Sequence, residues 1–190
     1  MGNRQNKESS TDLTPQHIAV LKANTKLNEE EIHKWHAKFI RDSPNGKLDK
    51  KTFVEAYKNM FPHGKVDKYA KYAFDTFDAN RDGTIDFDEF LLTVAVTSGG
   101  DLSNRLDIAF DMYDISNDGL LTESEITKVI TAMYDLVGET DRSGDRDPHK
   151  RATEIIAKLD INHDKKLNKL EFVAGCKNDP VIRQMLVPHA

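Results

Sequence analysis

The sequence predicts an all-α chain of four helix–loop–helix units in two paired lobes, with short strands between paired loops. Three observations predict it. Three stretches carry oxygen-bearing side chains at alternate positions and close on a glutamate. A fourth keeps the turn but has lost the oxygens. Apolar residues recur at the same offsets on both sides of all four.

The clearest stretch, Asp78 to Glu89, reads DANRDGTIDFDE. Asp78, Asn80 and Asp82 take positions 1, 3 and 5, Gly83 position 6, Ile85 position 8 and Glu89 position 12, which is the EF-hand loop pattern. The spacing suits calcium. Alternate side chains aim oxygens at one centre, Thr84 at position 7 offers its backbone carbonyl, and Glu89 supplies both carboxylate oxygens. Gly83 allows the sharp turn through positive φ.

The other units follow in the same register. Asp114 to Glu125 supplies Asp114, Ser116, Asp118, the Leu120 carbonyl and Glu125, with Gly119 at the turn. Only Ser116 departs from Asp or Asn, and its hydroxyl is still a usable oxygen. Asp160 to Glu171 supplies Asp160, Asn162, Asp164, the Lys166 carbonyl and Glu171, but Lys165 replaces the glycine. A non-glycine residue at positive φ costs on the order of 1 kcal/mol, so weaker binding is expected there. The first unit, Arg41 to Thr52, keeps Gly46 and Leu48. With Arg41 at position 1 and Thr52 at position 12 it has too few oxygens to bind. Magnesium is the expected resting-state occupant of the oxygens that calcium would take.

Apolar residues flank each loop: Phe53, Phe90, Ile126 and Phe172 after it, Ile40, Phe77, Tyr113 and Leu159 before it, and Ala37, Phe74, Phe110 and Ile156 one turn earlier. This puts an apolar face on both flanking helices. The position-8 residues Leu48, Ile85, Leu121 and Leu167 are placed to join a short strand across each pair. The organisation that follows is a flexible arm over 1–15, an N-terminal lobe over 16–96, a hinge at 97–100 (Thr-Ser-Gly-Gly), a C-terminal lobe over 101–178, and a final helix and tail over 179–190. Gly138 to Pro148 reads as a solvated insert, and Asp179-Pro180 as the start of a helix running to about Val187.

Composition agrees. A chain of 190 residues with 38% hydrophobic content can bury a core in each lobe. A net charge of −5 argues against a nucleic-acid partner. The single cysteine, Cys176, excludes an internal disulfide framework and reads as a packed small residue in a reducing, cytoplasmic setting. No run reaches the length of a membrane span, and the start carries no secretory signal. His33 and His36 read as solvated surface residues rather than a metal pair.

These loops, with Met1-Gly2, Trp35, Pro44-Asn45-Gly46, Phe61-Pro62, Val96-Thr97-Ser98 and Pro148-His149-Lys150-Arg151, resemble the neuronal calcium sensor family of frequenin, visinin-like proteins, hippocalcin and recoverin. The resemblance covers nearly the whole chain. Ser43, Lys165 and Asn6 depart from the family's usual residues. The resemblance implies a calcium-switched regulator and no catalysis. It implies a groove lined by Trp35, Phe39, Phe53, Tyr57, Phe61, Phe90 and Val94 that takes an amphipathic helix of a membrane-associated target, whether a kinase, cyclase, channel or lipid kinase. Gly2, exposed once Met1 is removed, is a candidate for N-myristoylation and peripheral membrane attachment, although Asn6 stands where Ser or Thr is usual. From the residues alone, Phe74, Phe77 and Phe90 read as core. Two rivals stand. A cytosolic calcium buffer would bind without opening. A calcium-triggered photoprotein needs several tryptophans, and Trp35 is alone here.

Overall fold

The computed structural model describes residues 12–186. Helices α1 (Pro15–Thr25) and α2 (Glu29–Asp42) lead into the first loop, which contributes β1 (Lys47–Asp49) and passes into α3 (Lys50–Met60). The second unit is α4 (Asp67–Phe77), β2 (Thr84–Asp86) and α5 (Phe87–Gly99). The third is α6 (Leu102–Tyr113), β3 (Leu120–Thr122) and α7 (Glu123–Val137). After a 3-10 turn at Gly144–Arg146 come α8 (Pro148–Leu159), β4 (Lys166–Asn168), α9 (Lys169–Asn178) and α10 (Pro180–Leu186).

The strands pair antiparallel within each half: β1 with β2, Leu48 opposite Ile85, and β3 with β4, Leu121 opposite Leu167. Ile85, Leu121 and Leu167 are fully buried, so each strand pair is pinned by its apolar centre. The C-terminal half encloses one core built on Leu106, Phe110, Tyr113, Ile126, Ile155 and Phe172. The N-terminal half divides its core in two. Ile18, Leu21, Ile32, Phe39, Phe87 and Leu91 form one part, with α1 laid against α5. Phe53, Ala73, Phe74 and Ile85 form the other.

The sequence places the helix starts well because the caps are local. The position-9 residue of each complete loop accepts from the backbone of the position-12 glutamate, whose carboxylate reaches back: Asp86 with Glu89, Thr122 with Glu125, Asn168 with Glu171. In the first loop Asp49 still caps α3 through the Thr52 N–H at 2.8 Å, but with threonine at position 12 the carboxylate that reaches back in the other loops is gone.

Several expectations shift. The arm expected over 1–15 lies mostly outside the described residues, and its end is not an arm: Thr14 caps α1 and Pro15 opens it. The break expected from Thr97 comes only at Gly100, because α5 continues through Gly99. Gly100 is the position that demands glycine, since an added Cβ would lie 2.4 Å from the Val96 carbonyl oxygen. Ala37 is exposed and Phe77 only half-buried, so neither belongs to the closed core. The insert is not simply solvated. Arg142 folds back to Asp135 at 2.9 Å and covers the Tyr134 ring at 4.9 Å. The final helix opens at Pro180, with Asp179 accepting from the Val181 and Ile182 N–H groups. It packs on α9 and brings the Leu186 carbonyl to 3.1 Å from the Tyr113 hydroxyl.

Candidate functional site

Each complete loop is a cradle of backbone N–H groups that orients its acidic side chains. In the second loop Asp78 accepts from the Asp82 and Gly83 N–H groups, each at 3.0 Å, and Asn80 accepts from Asp82 at 2.8 Å. Asp82 Oδ1 accepts from the Thr84 N–H at 2.9 Å. Glu89 spans the loop, one oxygen on the Asn80 N–H and the other on the Asp86 N–H, both at 3.0 Å. The third loop repeats this. Asp114 accepts from Asp118 and Gly119, Asp118 from Leu120, and Glu125 from Ser116 and Thr122.

The fourth loop repeats it too, despite Lys165. Asp160 accepts from Asp164 and Lys165, Asn162 from Asp164, Asp164 from Lys166, and Glu171 from Asn162 and Asn168. Lys165 takes φ +65°, where Gly83 and Gly119 take +84° and +83°. The lysine therefore reproduces the glycine turn at a conformational cost. Position 4 is also left-handed in all three, at Arg81, Asn117 and His163, so the fourth loop holds strained residues at two positions.

Electrostatics separate the second and third loops. Burial raises the Glu89 pKa, and the neighbouring carboxylates of Asp86 and Asp78 add to it, outweighing the N–H bonds. Burial acts the same way on Glu125, but hydrogen bonds from Thr122 and Ser116 prevail and the pKa is lowered. Asp82 is held down to about 2 by the Thr84 hydroxyl and by Lys47.

The donor set fits a hard divalent cation. Each complete loop offers only oxygens: three acidic or amide side chains (a hydroxyl at Ser116), one carbonyl and a glutamate with two oxygens. Asp78, Asn80, Asp82, Thr84 and Glu89 would hold an ion in the second loop. Asp114, Ser116, Asp118, Leu120 and Glu125 would do so in the third, and Asp160, Asn162, Asp164, Lys166 and Glu171 in the fourth. The first loop does not fit: Arg41 is exposed and pairs with its neighbour Asp42 at 3.0 Å.

The aromatic positions expected to line one groove adjoin one another, Trp35 and Phe39 against Phe90, and Phe53 against Tyr57 and Tyr57 against Phe61, with Phe77 bridging Phe90 to Phe53. The cavities along them are separate. Phe39 and Phe53 are buried in the two parts of the N-terminal core. Trp35 and Val94 border a cavity of about 240 Å³ beside Leu27 and Ser98. Tyr57 borders a second, of about 280 Å³, with Tyr69, Phe77, Met112 and Leu186. Phe61 borders a third, of about 450 Å³, with Tyr69, Met133, Val137 and Val181. Phe90 is half-buried and touches Trp35, Phe39 and Phe77 edge-on or tilted. Tyr69 and Met112 are cavity residues that the loop-centred pattern did not single out, and Phe77, which reads as core from the sequence, borders a cavity as well. Gly2 lies outside the described residues.

Paired helix–loop–helix units with these loops define an EF-hand protein. An EF-hand domain pair model matches residues 103–177 and an EF hand domain model matches 69–96. The first loop lies outside both. The chain belongs to the neuronal calcium sensor family. It is 40% identical over 188 residues to "Neuronal calcium sensor 1" of Lymnaea stagnalis, covering 98% of this chain and 96% of that protein. It is 32% identical to "Visinin" of Gallus gallus, over 96% of each chain. It is 31% identical to "Recoverin" of Homo sapiens, over 92% of this chain and 88% of that one. Among the described residues, no helix is long and apolar enough to cross a membrane.

Proposed function

We propose that this chain is a calcium sensor that binds the ion in its second, third and fourth loops and answers by presenting an apolar surface to a partner. The observation that carries this reading is the double engagement of Glu89, Glu125 and Glu171. Each closes its loop and also caps the helix that leaves it. A change at the loop is thereby a change at the start of α5, α7 or α9. The same helices border the cavities: α5 carries Val94, and α7 carries Met133 and Val137.

The partner surface fits an amphipathic helix, because the cavities are lined by aromatic rings and methionine, with Val137 exposed at the rim of one. A membrane-associated target, with a myristoyl group on Gly2 bringing the chain to the same surface, completes the reading. Magnesium would hold the loops at resting calcium. Relatives named as calcium sensors support the sensor over the buffer.

The test is calcium titration of the full chain, following Trp35 fluorescence and an apolar dye. Both should change, and Glu89→Gln should remove most of the Trp35 response while the chain stays folded by circular dichroism. Calcium binding with neither change would leave a buffer.

A further inference from the structure

We propose that Lys47, in the loop that binds nothing, is a tethered competitor for the second loop's ion and lowers that loop's calcium affinity. This rests on the calcium reading above and adds a residue that sets the strength of one site. The Lys47 ammonium lies 2.9 Å from Asp82 Oδ2 and 3.1 Å from the Thr84 hydroxyl oxygen. Asp82 stands at position 5. Its Oδ1 already accepts from the Thr84 N–H and hydroxyl, so Oδ2 is the oxygen left to offer a cation. Lys47 has taken it.

The placement is fixed by the strand pair. Leu48 faces Ile85 in the buried centre, so Lys47 must fall opposite Asp86, at the edge of the second loop. Neither other loop is met this way. Asp164 Oδ2 accepts from the neutral Asn162 amide at 3.1 Å. Lys166 sits opposite Thr122 in the equivalent register beside the third loop, yet among the described residues no ion pair joins it to a third-loop ligand. Among the described residues, Lys47–Asp82 is the one ion pair between a lysine or arginine side chain and a candidate ligand carboxylate.

An ammonium and a calcium ion repel, so an ion entering the second loop either displaces Lys47 from Asp82 or binds against its charge. Both partners are 42% exposed. The penalty is therefore small, and salt weakens it. Removing the charge should tighten the second loop by about two- to fivefold and leave the third unchanged. The first loop thus acts on calcium without holding any.

The experiment is a calcium titration of the full chain read by the amide resonances of Gly83 and Gly119, whose N–H groups bond Asp78 and Asp114 within their loops. Lys47→Gln should move the Gly83 midpoint to lower calcium and spare Gly119. Lys47→Arg should stay near wild type. Lys50→Gln removes an equally exposed charge that pairs with Asp75, which is not a ligand, and should shift neither midpoint. The gain from Lys47→Gln should shrink in about 0.5 M KCl. An unchanged or raised Gly83 midpoint in Lys47→Gln, or an equal shift in Lys50→Gln, overturns the role of Lys47. A wild-type chain in which neither glycine responds overturns the calcium reading itself.

Discussion

The backbone N–H of Lys65 donates to the carbonyl of Asp135 at 2.7 Å, joining the turn after α3 to the last turn of α7. Gly64, one residue earlier, lies so close that an added Cβ would fall 1.8 Å from the Leu136 carbonyl oxygen. Backbone faces backbone there, and no side chain can yield. Gly64→Ala should therefore cost about 1–3 kcal/mol, read by urea unfolding. Exposed Met60→Ala in the same segment should stay within about 0.5 kcal/mol of wild type.

Occupancy should follow ligand completeness. Calorimetry should resolve two stronger calcium events and one weaker. Glu125→Gln should abolish one strong event, and Thr52→Ala none. Lys165→Gly should tighten the weak event by up to about fivefold, because it removes roughly 1 kcal/mol of left-handed strain. Four strong events would contradict the assignment of the first loop.

Gly2 should accept a myristoyl group on co-expression with the transferase. Intact mass should rise by one acyl chain, and Gly2→Ala should prevent it. One chain alone gives marginal membrane binding, so vesicle association should be weak and depend on anionic lipid near Arg4 and Lys7.

Cys176 is fully buried, and burial pushes its thiol up to about 12. Thiolate is the reactive form, so iodoacetamide at pH 8.5 should leave the native chain unmodified and label the unfolded chain. Above about pH 8.5 the unfolded thiol ionises and the folded one does not. The unfolded state then binds fewer protons, and this group lowers stability as pH rises further. Rapid native labelling would show that the C-terminal core opens.

The loops were legible because their chemistry is local: ligand, turn and cap all fall within one short register. The strand pairing was legible from Leu48, Ile85, Leu121 and Leu167 for the same reason. What lay outside reach was tertiary. Phe39 and Phe53 have helical spacing that suits a groove or a core equally, and only packing against Phe87 and Phe74 places them inside. The run of α5 through Gly99 was misread because one glycine weakens a helix by only about 1 kcal/mol. The reach of Lys47 across to Asp82 depends on which strand it opposes, and the first loop alone does not contain that information.

The contact between Tyr113 and Leu186 makes the last helix a structural part of the third unit. Tyr113 is the residue before Asp114, and its hydroxyl is buried with the Leu186 carbonyl and the Met133 sulfur as its neighbours. A chain shortened to end at Asn178 would keep every loop residue, yet leave that hydroxyl without its best acceptor, a loss of about 1–3 kcal/mol. It would also uncover Ile182's place in the core. Trimming the tail is therefore not a neutral edit. The smallest unit that can be cut out and still hold the third loop's helix in place extends through Leu186.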